Sequence, residues 1–192
     1  MAPPCPDRLS GLPDCLLHGV LSGLGSRQAV RTSLLSRRWR QLWRDVPCAN
    51  IDEREFADDT WERFEDFADH MLTSIPPNTQ LDAFRLHLLR GKDTYWSSFT
   101  FPDRWIRRGL RHFPMTIDIR AASHSFWLPY LPSISPNSLD TVSSAASYYR
   151  RLTTLHLVQV RIHDSFTMYL GESCLVAGAR GAPHGEVQYN HK

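Results

Sequence analysis

Between Leu12 and Leu24 the large apolar residues recur every three or four positions. Leu12, Leu16 and Val20 form one series, and Leu17, Leu21 and Leu24 another. That spacing specifies a helix with a broad apolar face. Pro13 suits the first helical position, Asp14 the first turn, where the helix dipole favours an anion, and Gly23 and Gly25 end the run. A second helix is expected through "RQAVRTSLL" with Ser26 as its N-cap, and a third through "RRWRQLWRDV" with Ser36 as its N-cap and Pro47 as its stop. In the third, Trp39, Leu42 and Trp43 fall at i, i+3 and i+4, while Arg37, Arg38, Arg40 and Arg44 take the other sides. Arginine stems can cover apolar surface while their heads stay wet. Three short helices cannot enclose all of Leu12, Leu16, Leu17, Val20, Leu21, Leu24, Leu34, Leu35, Trp39, Leu42 and Trp43, so part of this surface requires a partner.

The period then changes repeatedly. "WERFEDFADHMLTSI" is helical, with Trp61, Phe64, Met71, Leu72 and Ile75 inward, acids outward and Pro76 and Pro77 closing it. "LDAFRLHLL" alternates as a half-buried strand does, "FPDRWIRRGLRHF" returns to helical spacing, and "MTIDIRA" alternates again. Residues 121–147, rich in serine and proline, read as an irregular connection. "LTTLHLVQVRI" fits the frame L-x-x-L-x-L at Leu152, Leu155 and Leu157. The strand centres Leu86, Ile117 and Leu155 lie 31 and 38 residues apart, longer than the usual leucine-rich unit of about 20 to 29. The expected fold is α+β: a three-helix module, then irregular leucine-rich-repeat-like α/β segments, incomplete at the C-terminus. The expected divisions are 7–47 for the helical module, 48–79 for an acidic linker helix, 80–174 for the repeat-like region and 175–192 for a glycine-rich tail without order.

Charge is segregated under a net of only +2. Residues 27–44 hold six arginines and no acid, whereas residues 51–70 hold nine acids against Arg54 and Arg63. The near-neutral sum argues against a polyelectrolyte binder of nucleic acid, although tryptophans among arginines could stack bases and hold phosphates. Two oppositely charged solvated faces, partly satisfying one another, are the simpler reading. The four cysteines show neither a CxxC pair nor framework spacing, so no metal site and no disulfide scaffold is signalled. The start "MAPPCPDRLS" lacks the pattern of a signal peptide, and no apolar run is long enough for a membrane span, which places the chain in the cytoplasm or nucleus by expectation. No hydrolase elbow, zinc-protease, phosphate-loop or dinucleotide motif occurs, and the scattered histidines, His87 and His156 among them, are expected as polar surface positions. The chain is expected to have neither catalytic activity nor a cofactor.

"DRLSGLPDCLLHGVLSGLGSRQAVRTSLLSRRWRQLW" closely resembles the F-box in the form common among plant F-box proteins with leucine-rich repeats. The resemblance rests on Leu12-Pro13-Asp14, the Leu16-Leu17 pair, Val20-Leu21 and the run from Val30 to Trp43. "FEDFADHML", "LDAFRLHL", "DRWIRRGLRHFPMTIDI" and "LTTLHLVQVRIHDSF" resemble the segments that follow it in that group, as far as about Cys174. Gly25 and Ser26 depart from the proline and threonine frequent there, and the glycine-rich tail stands where further repeats are usual, which suggests a truncated product or an alternative ending. The resemblance implies docking on a Skp-type adaptor, and through it on cullin and RING subunits of a ubiquitin ligase, with an unknown protein substrate held by the repeats. It implies adaptor contacts among Leu12, Pro13, Leu16, Leu17, Val20, Leu21, Leu24, Val30, Leu34, Leu35, Trp39, Leu42 and Trp43. A decoy that binds the adaptor without a substrate is the alternative, and an Arg/Trp nucleic-acid binder the more distant one.

Overall fold

A computed structural model describes residues 11–88, 101–122, 151–160 and, for the backbone alone, 186–190. Most of the expected irregular connection, the end of the repeat-like region and most of the tail lie outside the described residues. The helices are α1 (Asp14–Ser22), α2 (Ser26–Arg31), α3 (Trp39–Leu42), α4 (Trp61–Ser74) and α5 (Phe101–Leu110). The strands are β1 (Cys48–Asp52), β2 (Ala83–Leu88), β3 (Thr116–Ala121), β4 (Thr154–Val158) and β5 (Glu186–Asn190). They form one sheet in the order β1-β2-β3-β4-β5, with the first four parallel and β5 antiparallel to β4.

The expected change of period is what builds this sheet. Alternation puts Ala49, Phe84, Ile117 and Leu155 in one cross-strand row and Ile51, Leu86, Ile119 and Leu157 in the next, all buried. Parallel neighbours require crossovers, and α4 and α5 supply two of them, between β1 and β2 and between β2 and β3. The two helices pack side by side: Phe64 meets Trp105 edge-on at 5.5 Å between ring centres, and Trp61 lies 6.2 Å from the same ring. Asp69 Oδ1 accepts hydrogen bonds from Trp105 Nε1 at 2.8 Å and Arg108 Nη1 at 2.7 Å. The acids of α4 are therefore not all solvated, since Asp69 and Glu65 also face Arg104.

Three features differ from expectation. The acidic stretch after Pro47 begins with a strand, because Ala49 and Ile51 alternate with Asn50 and Asp52 and pair with Phe84 and Leu86. The expected third helix is reduced to one turn, and Gly25 rather than Ser26 stands before α2, for Ser26 Oγ accepts the backbone N–H of Asn50 instead of capping. The tail was expected to lack order, yet Glu186–Asn190 forms β5. Val187 and Tyr189 favour extended backbone, and β4 offers an edge whose N–H and C=O groups need partners.

Gly109 is the tightest point of the α5 packing: a Cβ there would stand 2.6 Å from the fully buried Phe84 ring. Gly109→Ala gains about 1 kcal/mol of helix propensity but meets a ring that cannot withdraw, an overpacking that costs about 1–3 kcal/mol. Urea unfolding of the variant should show a lower midpoint than the parent; a higher one would mean that α5 does not sit on Phe84.

Candidate functional site: the helical module and the outer sheet face

α1 has an inner and an outer side, set by residues one position apart. Leu17 and Leu21 are fully covered, and Trp39, Leu42 and Trp43 join them in the core that continues under the sheet. Leu16 and Val20, one residue earlier on the helical wheel, are 54% and 56% exposed. Pro13 is also exposed and precedes the helix as its N-cap, with its carbonyl accepting from the N–H groups of Leu16 and Leu17. Leu12, Leu24 and Val30 are partly buried against the core. α2 runs directly into a 3-10 turn at Thr32–Leu34, and this leaves Leu34 and Leu35 outside, 86% and 66% exposed. Of the sequence-derived contact residues, the structure thus leaves Pro13, Leu16, Val20, Leu34 and Leu35 open. Leu17, Leu21, Trp39, Leu42 and Trp43 are covered by the chain itself and serve as the framework that presents the others.

That placement bears on base stacking as well. Trp39 and Trp43 are 6% and 8% exposed, so neither offers a ring face to a nucleotide.

The module is fastened to the sheet by polar groups whose sequence positions gave no hint of this. Asn50 of β1 donates from Nδ2 to the carbonyls of Ser22 (3.1 Å) and Leu24 (2.9 Å), which the end of α1 leaves without helical partners. Its Oδ1 accepts from Arg85 Nη1 at 2.7 Å. Arg27 reaches the Glu55 carbonyl and the Asp59 carboxylate and lies over the Phe56 ring, 4.1 Å from its centre. The Glu55 carboxylate fills the space beside Gly25 and accepts the Arg27 N–H, and burial raises its pKa. The two segregated charge blocks therefore meet in part, through Arg27.

On the outer face of the sheet polar residues run across the strands in two rows: Asn50, Arg85, Asp118 and His156, then Asp52, His87 and Arg120, the second row ending at Val158. The expectation of surface histidines is corrected here, because His87 and His156 side chains are only 15% and 18% exposed and both face carboxylates. His87 lies 3.4 Å from Asp52 through Nδ1 and 3.4 Å from Asp118 through Nε2. His156 Nδ1 is 3.0 Å from Asp118 Oδ1, Arg120 grips Asp118 with two bonds, and Arg54 grips Asp52 likewise. Burial opposes charge on both aspartates, yet hydrogen bonds from His87 and the arginines outweigh it and hold both pKa values far below 3.8. For His87 burial again opposes the charge, and the flanking carboxylates of Asp118 and Asp52 win, raising its pKa above 6.5. The His87 ring of β2 is thus set between a carboxylate of β1 and one of β3. Nothing in a single strand reveals this, because it depends on register. Among the described residues no group of three or more His, Cys, Asp or Glu is arranged to hold a metal, and no helix is long and apolar enough to cross a membrane.

Comparison with known proteins identifies the helical module. The F-box domain family matches residues 9–49, so the chain carries an F-box. Its homologues are plant F-box/LRR and F-box/FBD/LRR proteins. It is 47% identical over 140 residues to the Meiotic F-box protein MOF of Oryza sativa subsp. japonica, an alignment covering 66% of this chain and 28% of the relative. It is 35% identical over 127 residues to F-box/LRR-repeat protein 13 of Arabidopsis thaliana, covering 66% and 27%. With an F-box/FBD/LRR-repeat protein of Arabidopsis thaliana it shares 33% over 178 residues, covering 82% and 39%. The chain spans between about a quarter and two fifths of the length of these relatives. No solved structure matches it.

The His87 network fixes a pH dependence. A raised folded pKa means that its stabilisation is complete below 6.5 and is lost as pH climbs through the raised value. The lowered aspartates act in the opposite sense: their contribution is present above 3.8 and lost as pH falls below it. Urea midpoints of the parent and His87→Gln should therefore differ most near pH 6 and converge as pH rises well above the ordinary histidine range. A gap that widens with pH would contradict the pairing.

Proposed function

We propose that this chain is a substrate-receptor subunit of a Skp/cullin/F-box ubiquitin ligase. On this reading the F-box docks on a Skp-type adaptor, the adaptor connects it to cullin and RING subunits, and the strand-and-helix region receives a protein substrate. The chain contributes binding and position, and the transfer chemistry belongs to its partners. Such an assembly works in the cytoplasm or the nucleus.

The observation that carries the reading is the exposure of Leu16, Val20, Leu34 and Leu35 within a segment matched by the F-box family, above a framework of buried leucines and tryptophans. Leaving four large aliphatic side chains half or more exposed forgoes about 1 kcal/mol or more each, out of about 1.5–3 kcal/mol for full burial. A protein partner that covers them recovers much of it. A few such anchors carry most of the energy of an interface of about 800 Å² per side. Gly19 lies between Leu16 and Val20 and Gly23 one turn on, both exposed, and a Cβ on Gly19 would meet nothing within 4 Å. This stretch of α1 therefore allows close approach of another backbone.

Gly19 also separates docking from folding. Gly19→Phe should leave the chain folded, since it projects into open space, and should weaken binding to a co-expressed Skp-type adaptor by about tenfold or more, as blocked interface centres do. Leu16→Asp with Val20→Asp should weaken it by more than about a hundredfold, because carboxylates would be buried without partners. Size-exclusion chromatography and titration calorimetry on folded variants check both. Full affinity in the double variant would remove α1 from the contact. The substrate-free decoy differs only downstream: it forms the same adaptor complex, and an assembled ligase containing it directs ubiquitin to no captured protein.

A further inference from the structure

Among the described residues, four arginines of the F-box have no carboxylate at salt-bridge distance, and three of them flank Leu34 and Leu35 in sequence. Of the six arginines between residues 27 and 44, Arg27 is held by Asp59 and Arg38 by Asp14. Among the described residues no carboxylate reaches Arg31, Arg37, Arg40 or Arg44 at salt-bridge distance, although Arg31 lies near enough to Glu55 to lower its pKa slightly against burial. Arg31, Arg37 and Arg40 are exposed, whereas Arg44 is half-buried beside Trp43. Arg31 sits one turn before Leu34 and Leu35 on a continuous helical backbone, and Arg37 and Arg40 follow within five residues. Of the acids downstream, Asp52, Asp59, Glu65 and Asp69 are already engaged by Arg54, Arg27, Arg63, Arg104 and Arg108.

We propose that the surface formed by Leu34 and Leu35 with Arg31, Arg37 and Arg40 is built for an acidic protein face, and that the Skp-type adaptor presents carboxylates to these arginines. The inference rests on the docking reading above and adds the chemistry of the partner. Unpaired guanidinium groups rimming an apolar contact raise the rate of encounter with an oppositely charged protein and fix its register, while the leucines supply the lasting contact. Guanidinium also matches carboxylate with two parallel bonds, which orients the partner. Nucleic acid would be drawn by the same charge, but it cannot cover Leu34 and Leu35 with apolar surface, and the tryptophans that would stack its bases are buried.

The test is stopped-flow association of the intact chain with a purified Skp-type adaptor from about 50 to 500 mM salt, alongside R31E/R37E/R40E and the neutral R31Q/R37Q/R40Q. The parent should lose about tenfold or more in association rate across that range while its dissociation rate changes little. Both variants should bind more slowly at low salt and respond less to salt, the glutamates most, and the glutamine variant keeps the test available should charge reversal impair folding. An association rate independent of salt, or equal in the parent and the glutamine variant, overturns the proposal while leaving adaptor docking intact. A parent that ignores the adaptor altogether defeats the docking reading and this proposal together. Salt-sensitive retention on RNA in place of adaptor binding would assign the arginines to phosphate.

Discussion

The burial of Leu17 and Leu21 is the constraint on which the outer surface depends. A helix turns by about 100° per residue, so once these two side chains are locked in the core, Leu16 and Val20 must point away from it. The same core continues through Trp39, Trp43 and Val46 to Ala49 and Ile51, and from there along the sheet rows to Leu155 and Leu157. Module and sheet are therefore not two beads on a linker. They share apolar contacts, and Asn50 and Arg27 add directional bonds across the junction, so the F-box helices and the sheet are joined by more than a linker.

Two kinds of electrostatics divide the molecule. Across the sheet, charges are paired, largely covered and locked by register: Asp118 alone serves His87, Arg120 and His156. Beside Leu34 and Leu35, Arg31, Arg37 and Arg40 are exposed and, among the described residues, have no carboxylate at salt-bridge distance. The first arrangement stabilises a fold over a limited pH window. The second forms no salt bridge within the described residues, and its proposed counterpart is a partner's carboxylates.

Much of this was legible in the sequence because it rests on local period. The helical spacing of Leu12 to Leu24 and Trp61 to Ile75, and the alternation around Leu86, Ile117 and Leu155, each predict the element that is found. What was not legible depends on partners distant in sequence. Leu16 and Leu17 are chemically identical, and only packing decides which is core and which is surface. β1 is disguised by its acidic neighbours and revealed by pairing with β2. Ser26 carries an N-cap's chemistry but gives it to Asn50. His87 reads as an ordinary strand position until the register sets it between Asp52 and Asp118. β5 lies in a glycine-rich tail whose composition argues against order, and pairing with β4 supplies what local propensity lacks.

The central claim is that the F-box presents its outer, not its inner, apolar residues to an adaptor. Amide hydrogen exchange of the chain alone and in the presence of a Skp-type adaptor addresses it directly. New protection is expected in residues 14–22 and 31–38, with β1 to β4 unchanged. Protection confined to the sheet, or exchange through 14–22 and 31–38 that the adaptor leaves untouched, would contradict it.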